Sequence, residues 1–197
     1  MKNILAVIGG GRPKGNTEQL VDAFAQGAET AGNQVEKILL RKTEVKGCTG
    51  CNACHRTGFS VQKDDFNSLI PKIRKANLIV FASPLYYWTI SSQLKAFIDR
   101  FYSIEEKELP LHSHEKYAQK DSVLLMTAAD HSSRTFEQAV SYYQFALVNY
   151  IGFRDKGMLL AGGCGSAYGK SQIEGTDHLQ KAYEFGKTLY QNKEEQE

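Results

Sequence analysis

Two hydrophobic periods alternate along this chain. Five short runs are apolar and β-rich, at 4–8, 34–40, 78–82, 122–127 and 157–161. Runs of this length bounded by turn residues read as strands of a buried sheet. Five longer segments, at 17–31, 64–75, 91–102, 134–150 and 171–191, carry apolar residues at helical spacing. Strand and helix alternate with mostly short links. That order predicts an α/β fold, a doubly wound five-stranded parallel sheet of order 2-1-3-4-5 with helices on both faces. A ligand crevice then lies at the carboxyl ends of strands 1 and 3, beside strand 4. The links 9–17, 83–90 and 128–133 become the places to look for chemistry.

One domain is expected over residues 1–191. Residues 41–63 form an aperiodic excursion with three cysteines, and the polar tail 192–197 is expected to fray. A hydrophobic fraction of 42% suffices for a sizeable core. The formal net charge is +2, with both signs mixed along the chain, so no basic block marks a nucleic-acid partner. Five apolar residues after Met1-Lys2-Asn3 are too few for a signal-peptide core, and no run reaches transmembrane length. A cytoplasmic protein with reduced cysteines and no membrane partner is the resulting expectation.

The link Gly9-Gly10-Gly11-Arg12-Pro13-Lys14-Gly15-Asn16-Thr17 joins the first strand to the first helix. Such a turn presents backbone N–H groups and a positive helix end to one point, where an anion can sit. Arg12 and Lys14 add charge, and Asn16 or Thr17 can cap the helix or donate a hydrogen bond. The loop is neither a Gly-x-Gly-x-x-Gly fingerprint nor a Walker loop, because Lys14 stands where the third glycine belongs and no Gly-Lys-Ser/Thr follows in the loop. A ligand-free turn is the alternative.

The third strand runs into Ser83-Pro84-Leu85-Tyr86-Tyr87-Trp88. Three consecutive aromatics cannot all face the core, so at least one faces the crevice. A phosphate cradle beside an aromatic shelf suits a flat, phosphorylated ring system such as FMN. NAD matches less well, because Leu40-Arg41-Lys42 at the end of strand 2 lacks an acidic ribose partner. A cover over the sheet edge, or a subunit contact, is the competing reading of the shelf.

Gly-x-Arg-x-x-Gly-Asn-Thr after strand 1, Ser-Pro-Leu-Tyr-Tyr-Trp leading into residues 93–100, and Cys48-x-x-Cys51-x-x-Cys54 before Lys63-Asp64-Asp65 together resemble the NAD(P)H-dependent FMN reductase branch of flavodoxin-like proteins. The iron–sulfur flavoprotein-like group is the most similar flavour. The resemblance covers most of the chain, most clearly residues 4–101. It implies that Arg12, Lys14, Gly15, Asn16 and Thr17 hold the FMN phosphate. Ser83, Pro84, Leu85, Tyr86, Tyr87 and Trp88 would line the ribityl chain and ring. Ala128, Ala129, Asp130 and His131 would close the other side. It also implies NAD(P)H as donor and a homodimer or homotetramer.

Cys48, Cys51 and Cys54 have cluster-like spacing, but a four-iron cluster takes four thiolates. In the iron–sulfur flavoproteins a fourth cysteine follows within a few residues, and here Ser60 stands in that place. Cluster-free thiols are the leading reading, with no metal bound. A zinc or redox-thiol site that could enlist His55, and an iron–sulfur cluster, stay open. Asp130-His131-Ser132-Ser133 lacks a nucleophile elbow and reads as a crevice loop, with Ser132 or Ser133 capping the next helix. His112 and His114 read as solvated. Tyr168, in the glycine-rich link after strand 5, could reach the crevice or a partner. Tyr142, Tyr143, Phe145 and Tyr150 read as core or dimer interface.

The resulting expectation is an FMN-dependent NAD(P)H oxidoreductase acting on a quinone, a nitro- or azo-aromatic, a ferric complex or free flavin. No side chain is assigned as a catalytic acid or base. A flavodoxin-type electron carrier is the alternative, disfavoured by a sequence pI of about 8.3. An interaction protein that has lost FMN is a third reading.

Overall fold

The computed structural model describes residues 1–104, 120–165 and 172–191. His112, His114, Tyr168 and the tail 192–197 lie outside the described residues. The elements are β1 (Asn3–Ile8), α1 (Asn16–Thr30), β2 (Gln34–Leu39), a one-turn α2 (Cys54–Thr57), α3 (Phe66–Lys75), β3 (Leu78–Pro84), α4 (Ser92–Asp99), β4 (Asp121–Thr127), α5 (Glu137–Tyr142), β5 (Arg154–Ala161) and α6 (His178–Thr188). The strands form one parallel sheet in the order β2-β1-β3-β4-β5, as the alternation predicts.

The sheet's two faces follow from the period of two along each strand. Ile4, Ala6 and Ile8 of β1 pack with Leu20, Val21 and Phe24 of α1 and Ala182 of α6. Leu5 and Val7 point the other way, into a cluster with Phe66 and Ile73 of α3, Leu94 and Phe97 of α4, and Ala139 of α5. β3 and β4 are buried at every position, which is why their segments read as continuous apolar runs. Helices α1 and α6 touch through glycines. A Cβ on Gly186 would lie 2.0 Å from the Phe24 carbonyl, and one on Gly27 would lie 1.9 Å from that of Tyr183.

Three expected helices are shorter or more varied than their patterns. The 91–102 helix ends at Asp99 and tightens into a 3₁₀ turn, Arg100–Ser103. The 134–150 segment is a 3₁₀ turn (Ser133–Phe136), then α5, then a π-helix (Tyr143–Tyr150). Apolar spacing does not distinguish these helix types, because each leaves one face inward. Here Tyr143 and Leu147 are buried, while Phe145 and Tyr150 face out. Within the last predicted helix, α6 starts only at His178. Strand β5 begins three residues before its predicted start. Pairing with β4 slips between Ser122 and Leu124, and Gly157 takes φ +114° at that bulge. The glycine that looked like the strand's start lies inside it.

Candidate functional site

The links after β1, β3 and β4 meet at the carboxyl edge, where the chain changes direction between β1 and β3. Gly9 is required by packing: a Cβ there would lie 2.4 Å from Ser91 Oγ at the start of α4. Gly10 and Gly11 face more open space. With Arg12, Gly15, Asn16, Thr17, Glu18, Pro84, Tyr86 and Thr127 they line one small cleft. Among the described residues, no hydrogen bond takes up the backbone N–H groups of Gly10, Gly11, Arg12 or Thr17. Four unspent donors around one cleft at a helix N-terminus fit a phosphate.

The remaining loop residues serve the loop itself. Lys14 adopts the left-handed conformation, with φ +50°. Its N–H donates to a Glu18 carboxylate oxygen at 2.6 Å, and its carbonyl accepts from Gln19 Nε2 at 2.9 Å. The Lys14 side chain is exposed and lines neither cavity of the site. The N-cap of α1 is Gly15, with no side-chain cap, so the expected capping by Asn16 or Thr17 does not occur. Both are instead the first buried residues of the helix. The Asn16 side-chain amide donates to the Cys164 carbonyl, and its oxygen accepts from the N–H groups of Gln172 (3.1 Å) and Ile173 (3.2 Å). Asn16 therefore ties the glycine-rich loop to the segment after β5. The Thr17 hydroxyl lies 2.8 Å from that of Thr127 at the end of β4.

The link after β3 is a two-residue hairpin. Tyr86 and Thr89 exchange backbone hydrogen bonds of 2.9 and 3.1 Å, and both central residues, Tyr87 and Trp88, have positive φ (47° and 60°). Such turns favour Asn-Gly, so two bulky aromatics here store strain. They are also the most exposed of the shelf, Tyr87 at 93% and Trp88 at 59%. Ser83 and Pro84 are buried. The Ser83 hydroxyl donates to the Pro84 carbonyl and accepts the Ser91 N–H, so it braces the hairpin. Ser91 in turn caps α4 through the Leu94 N–H.

A second cavity, of about 300 Å³, is lined by Leu85, Tyr87, Trp88, Ala128, Ala129, Asp130 and Thr135. It brings the aromatic shelf and the link after β4 together. That link is tied to the one after β5: Cys164 N–H donates to the Ala128 carbonyl and Gly163 N–H to the Asp130 carbonyl. The His131 ring lies where a Cβ on Gly163 would be, within 2.5 Å, so His131 packs on the neighbouring loop and lines neither cavity. The Ser132 side chain makes no cap bond; its N–H donates to Asp130 Oδ1 at 3.0 Å.

The cysteine excursion is clamped at its base. Arg100, at the end of α4, donates to both Asp64 oxygens (2.5 and 3.2 Å), the Lys46 carbonyl (2.8 Å) and Ser60 Oγ (2.7 Å). Burial raises the Asp64 carboxyl, but Arg100 together with the Lys46 and Phe66 N–H groups outweighs this and holds it below its ordinary range. Cys48 and Cys51 are exposed, Cys54 is half-buried and Cys164 is buried. Burial pushes the Cys164 thiol up to about 11. The Ala53 N–H and the Thr49 hydroxyl lower Cys51. No group of three His, Cys, Asp or Glu is placed to hold a metal among the described residues. Ser60 is 8% exposed, with its hydroxyl turned to a guanidinium, so the residues present do not fit a four-ligand cluster.

Glu18, Thr127 and Arg41, which pairs with Glu18 at 3.0 Å, belong to the site's surroundings but were missed by sequence reasoning. Glu18 had a signal: it stands three residues after the N-cap, the capping-box spacing. Thr127 and Arg41 had none.

The curated relatives that the chain resembles include iron–sulfur flavoproteins. An iron–sulfur flavoprotein of Archaeoglobus fulgidus is 34% identical over 96 residues, covering 49% of this chain and 44% of the relative. Matches of this kind span about half the length of the curated relatives. Among solved structures, an NAD(P)H:quinone oxidoreductase from Methanothermobacter marburgensis superposes with a TM-score of 0.71 at 18% identity, over 97% of both chains. An FMN-dependent NADH-azoreductase from Bacillus anthracis, in complex with FMN, gives 0.63 at 14% identity, over 95% of this chain and 96% of that one. These two likenesses concern the fold. No helix among the described residues is long and apolar enough to cross a membrane. The model for NADPH-dependent FMN reductases matches residues 2–159, and the chain belongs to that family.

Proposed function

We propose that the chain is an FMN-dependent NAD(P)H oxidoreductase that reduces a small acceptor. One observation carries this reading. A cleft with four unspent backbone N–H donors and a cavity walled by Tyr87 and Trp88 share one sheet edge, with Pro84 to Tyr86 between them. The donors of Gly10, Gly11, Arg12 and Thr17 hold the phosphate, and the Arg12 and Lys14 side chains add positive charge from the rim. Leu85, Tyr87, Trp88 and the Ala128–Asp130 backbone line the ring. FMN, when bound, supplies the hydride-accepting and electron-donating chemistry. The protein binds, orients and shields, and no side chain serves as an obligatory acid or base.

The flat aromatic wall favours planar acceptors, a quinone, a nitro- or azo-aromatic or free flavin, over ferric complexes. The quinone and azo-compound reductases among the structural neighbours support that choice. A homodimer or homotetramer completes the reading, supported by the exposed Phe145 and Tyr150. A cytoplasmic setting is supported by four cysteines with no disulfide. We read the cysteine loop as cluster-free, because Ser60 is committed to Arg100.

The absorption spectrum of the purified protein is the test. Bands near about 375 and 450 nm, with heat-released FMN, support the reading. A colourless protein that also refuses added FMN overturns it. Steady-state NAD(P)H oxidation with a quinone, by the chain alone, separates an enzyme from an electron carrier, which needs a separate reductase.

A further inference from the structure

Glu18 puts a carboxylate on the wall of the cleft that the preceding section reads as a phosphate site. One of its oxygens takes the Lys14 N–H and so helps fix that residue at φ +50°. The other pairs with Arg41 Nη2 at 3.0 Å. Arg41 follows the edge strand β2, in the 3₁₀ turn Leu40–Lys42, and does not line the cleft itself. Both side chains are largely enclosed, Arg41 at 12% exposure and Glu18 at 15%. Arg41 Nε and Nη1 are buried without a partner. The pair is thus poorly satisfied for its burial, and its stabilising value is small.

Its place is explained by charge. A carboxylate beside bound phosphate is a like-charge contact, and at this burial such repulsion is not screened away. Replacing Glu18 by a residue without a side-chain acceptor would avoid it but release the Lys14 N–H. An arginine behind the carboxylate resolves the conflict: it cancels the charge without entering the cleft.

We propose that Arg41 is a positioning residue for phosphate capture. It neutralises Glu18, so the carboxylate that shapes the loop does not repel the phosphate dianion. The inference rests on the FMN reading above, and the phosphate dependence of binding isolates it.

The experiment compares FMN with riboflavin, which shares the ring and lacks the phosphate, by flavin fluorescence titration of wild type, R41A, E18Q and the double variant R41A/E18Q. R41A is expected to weaken FMN at least about tenfold and riboflavin less than about threefold. E18Q keeps an acceptor for the Lys14 N–H, and FMN binding is expected within about threefold of wild type or tighter. The double variant is expected to recover FMN binding to within about threefold of wild type, because no charge is left to cancel. Equal losses of FMN and riboflavin in R41A, or no loss, overturn the inference. So does a double variant no better than R41A. If R41A does not fold, E18Q still decides: a selective tenfold loss of FMN there means the carboxylate helps the phosphate and overturns the inference. A wild-type protein that binds neither flavin removes the FMN reading itself, whereas FMN binding by wild type with an unselective R41A removes only this inference.

Discussion

Two arginine–carboxylate pairs hold the loops above the carboxyl edge, and they differ in how completely they are used. Arg100 and Asp64 are enclosed at 1% and 0% exposure, and both terminal nitrogens of Arg100 are bonded, to Asp64, Ser60 and Lys46, with only Nε idle and the guanidinium face over the Phe66 ring. Arg41 and Glu18 sit at a cleft, joined through Arg41 Nη2, with Arg41 Nε and Nη1 idle. The first pair joins the excursion to α4 across 36 residues and lines neither cavity of the site. The second shapes a loop around unspent N–H groups. A well-satisfied buried pair fixes backbone; a poorly satisfied one next to a cleft points to charge control.

The largest effect that separates them is on stability. R100A strands the Asp64 carboxylate inside the protein and is expected to cost about 3–5 kcal/mol in urea unfolding. R41A, less enclosed, is expected to cost about 1–2 kcal/mol. Equal costs would end the distinction.

Acid titration sharpens it. The folded Asp64 carboxyl titrates below its ordinary 3.8, so the Arg100 pair stabilises the fold above about pH 4. That contribution is lost as pH falls through the lower, folded-state value. D64N is expected to be less stable at pH 7 and to lose less further stability between pH 5 and 2 than wild type, as thermal melts across that range would show. A variant with the wild-type acid slope would place the effect elsewhere.

T17V removes the hydroxyl that meets Thr127 at the cleft. It is expected to cost about 1 kcal/mol of stability and a few-fold in FMN affinity, measured by melting and titration. Smallest is K95A, which breaks an exposed pair with Asp99 one helical turn away; it is expected to change stability by less than about 0.5 kcal/mol and leave flavin binding alone. It serves as the surface control for both clamps.

Much of the carboxyl edge was legible beforehand because its parts are contiguous. A strand, a glycine-rich link and a helix stand side by side at 4–31, and local period and turn chemistry describe them. The exposed aromatics were legible by elimination, since three in succession cannot share one buried face. The roles inside the loop were not. Asn16 and Thr17 read as caps or ligands, yet their partners, Cys164, Gln172, Ile173 and Thr127, lie more than 100 residues away. Ser60 was visible as a missing cysteine, but the arginine that takes its hydroxyl was not.

By itself the sequence determined the α/β class, the strand order, the edge where the links gather and the family resemblance, because hydrophobic period and glycine placement act over a few residues at a time. Only the tertiary structure decided which donors around the glycine-rich loop stay unspent, that Glu18 stands between Lys14 and Arg41, and that Ser60 faces a guanidinium. Those outcomes depend on groups far apart in the chain meeting where water is excluded, and local pattern carries no record of such meetings.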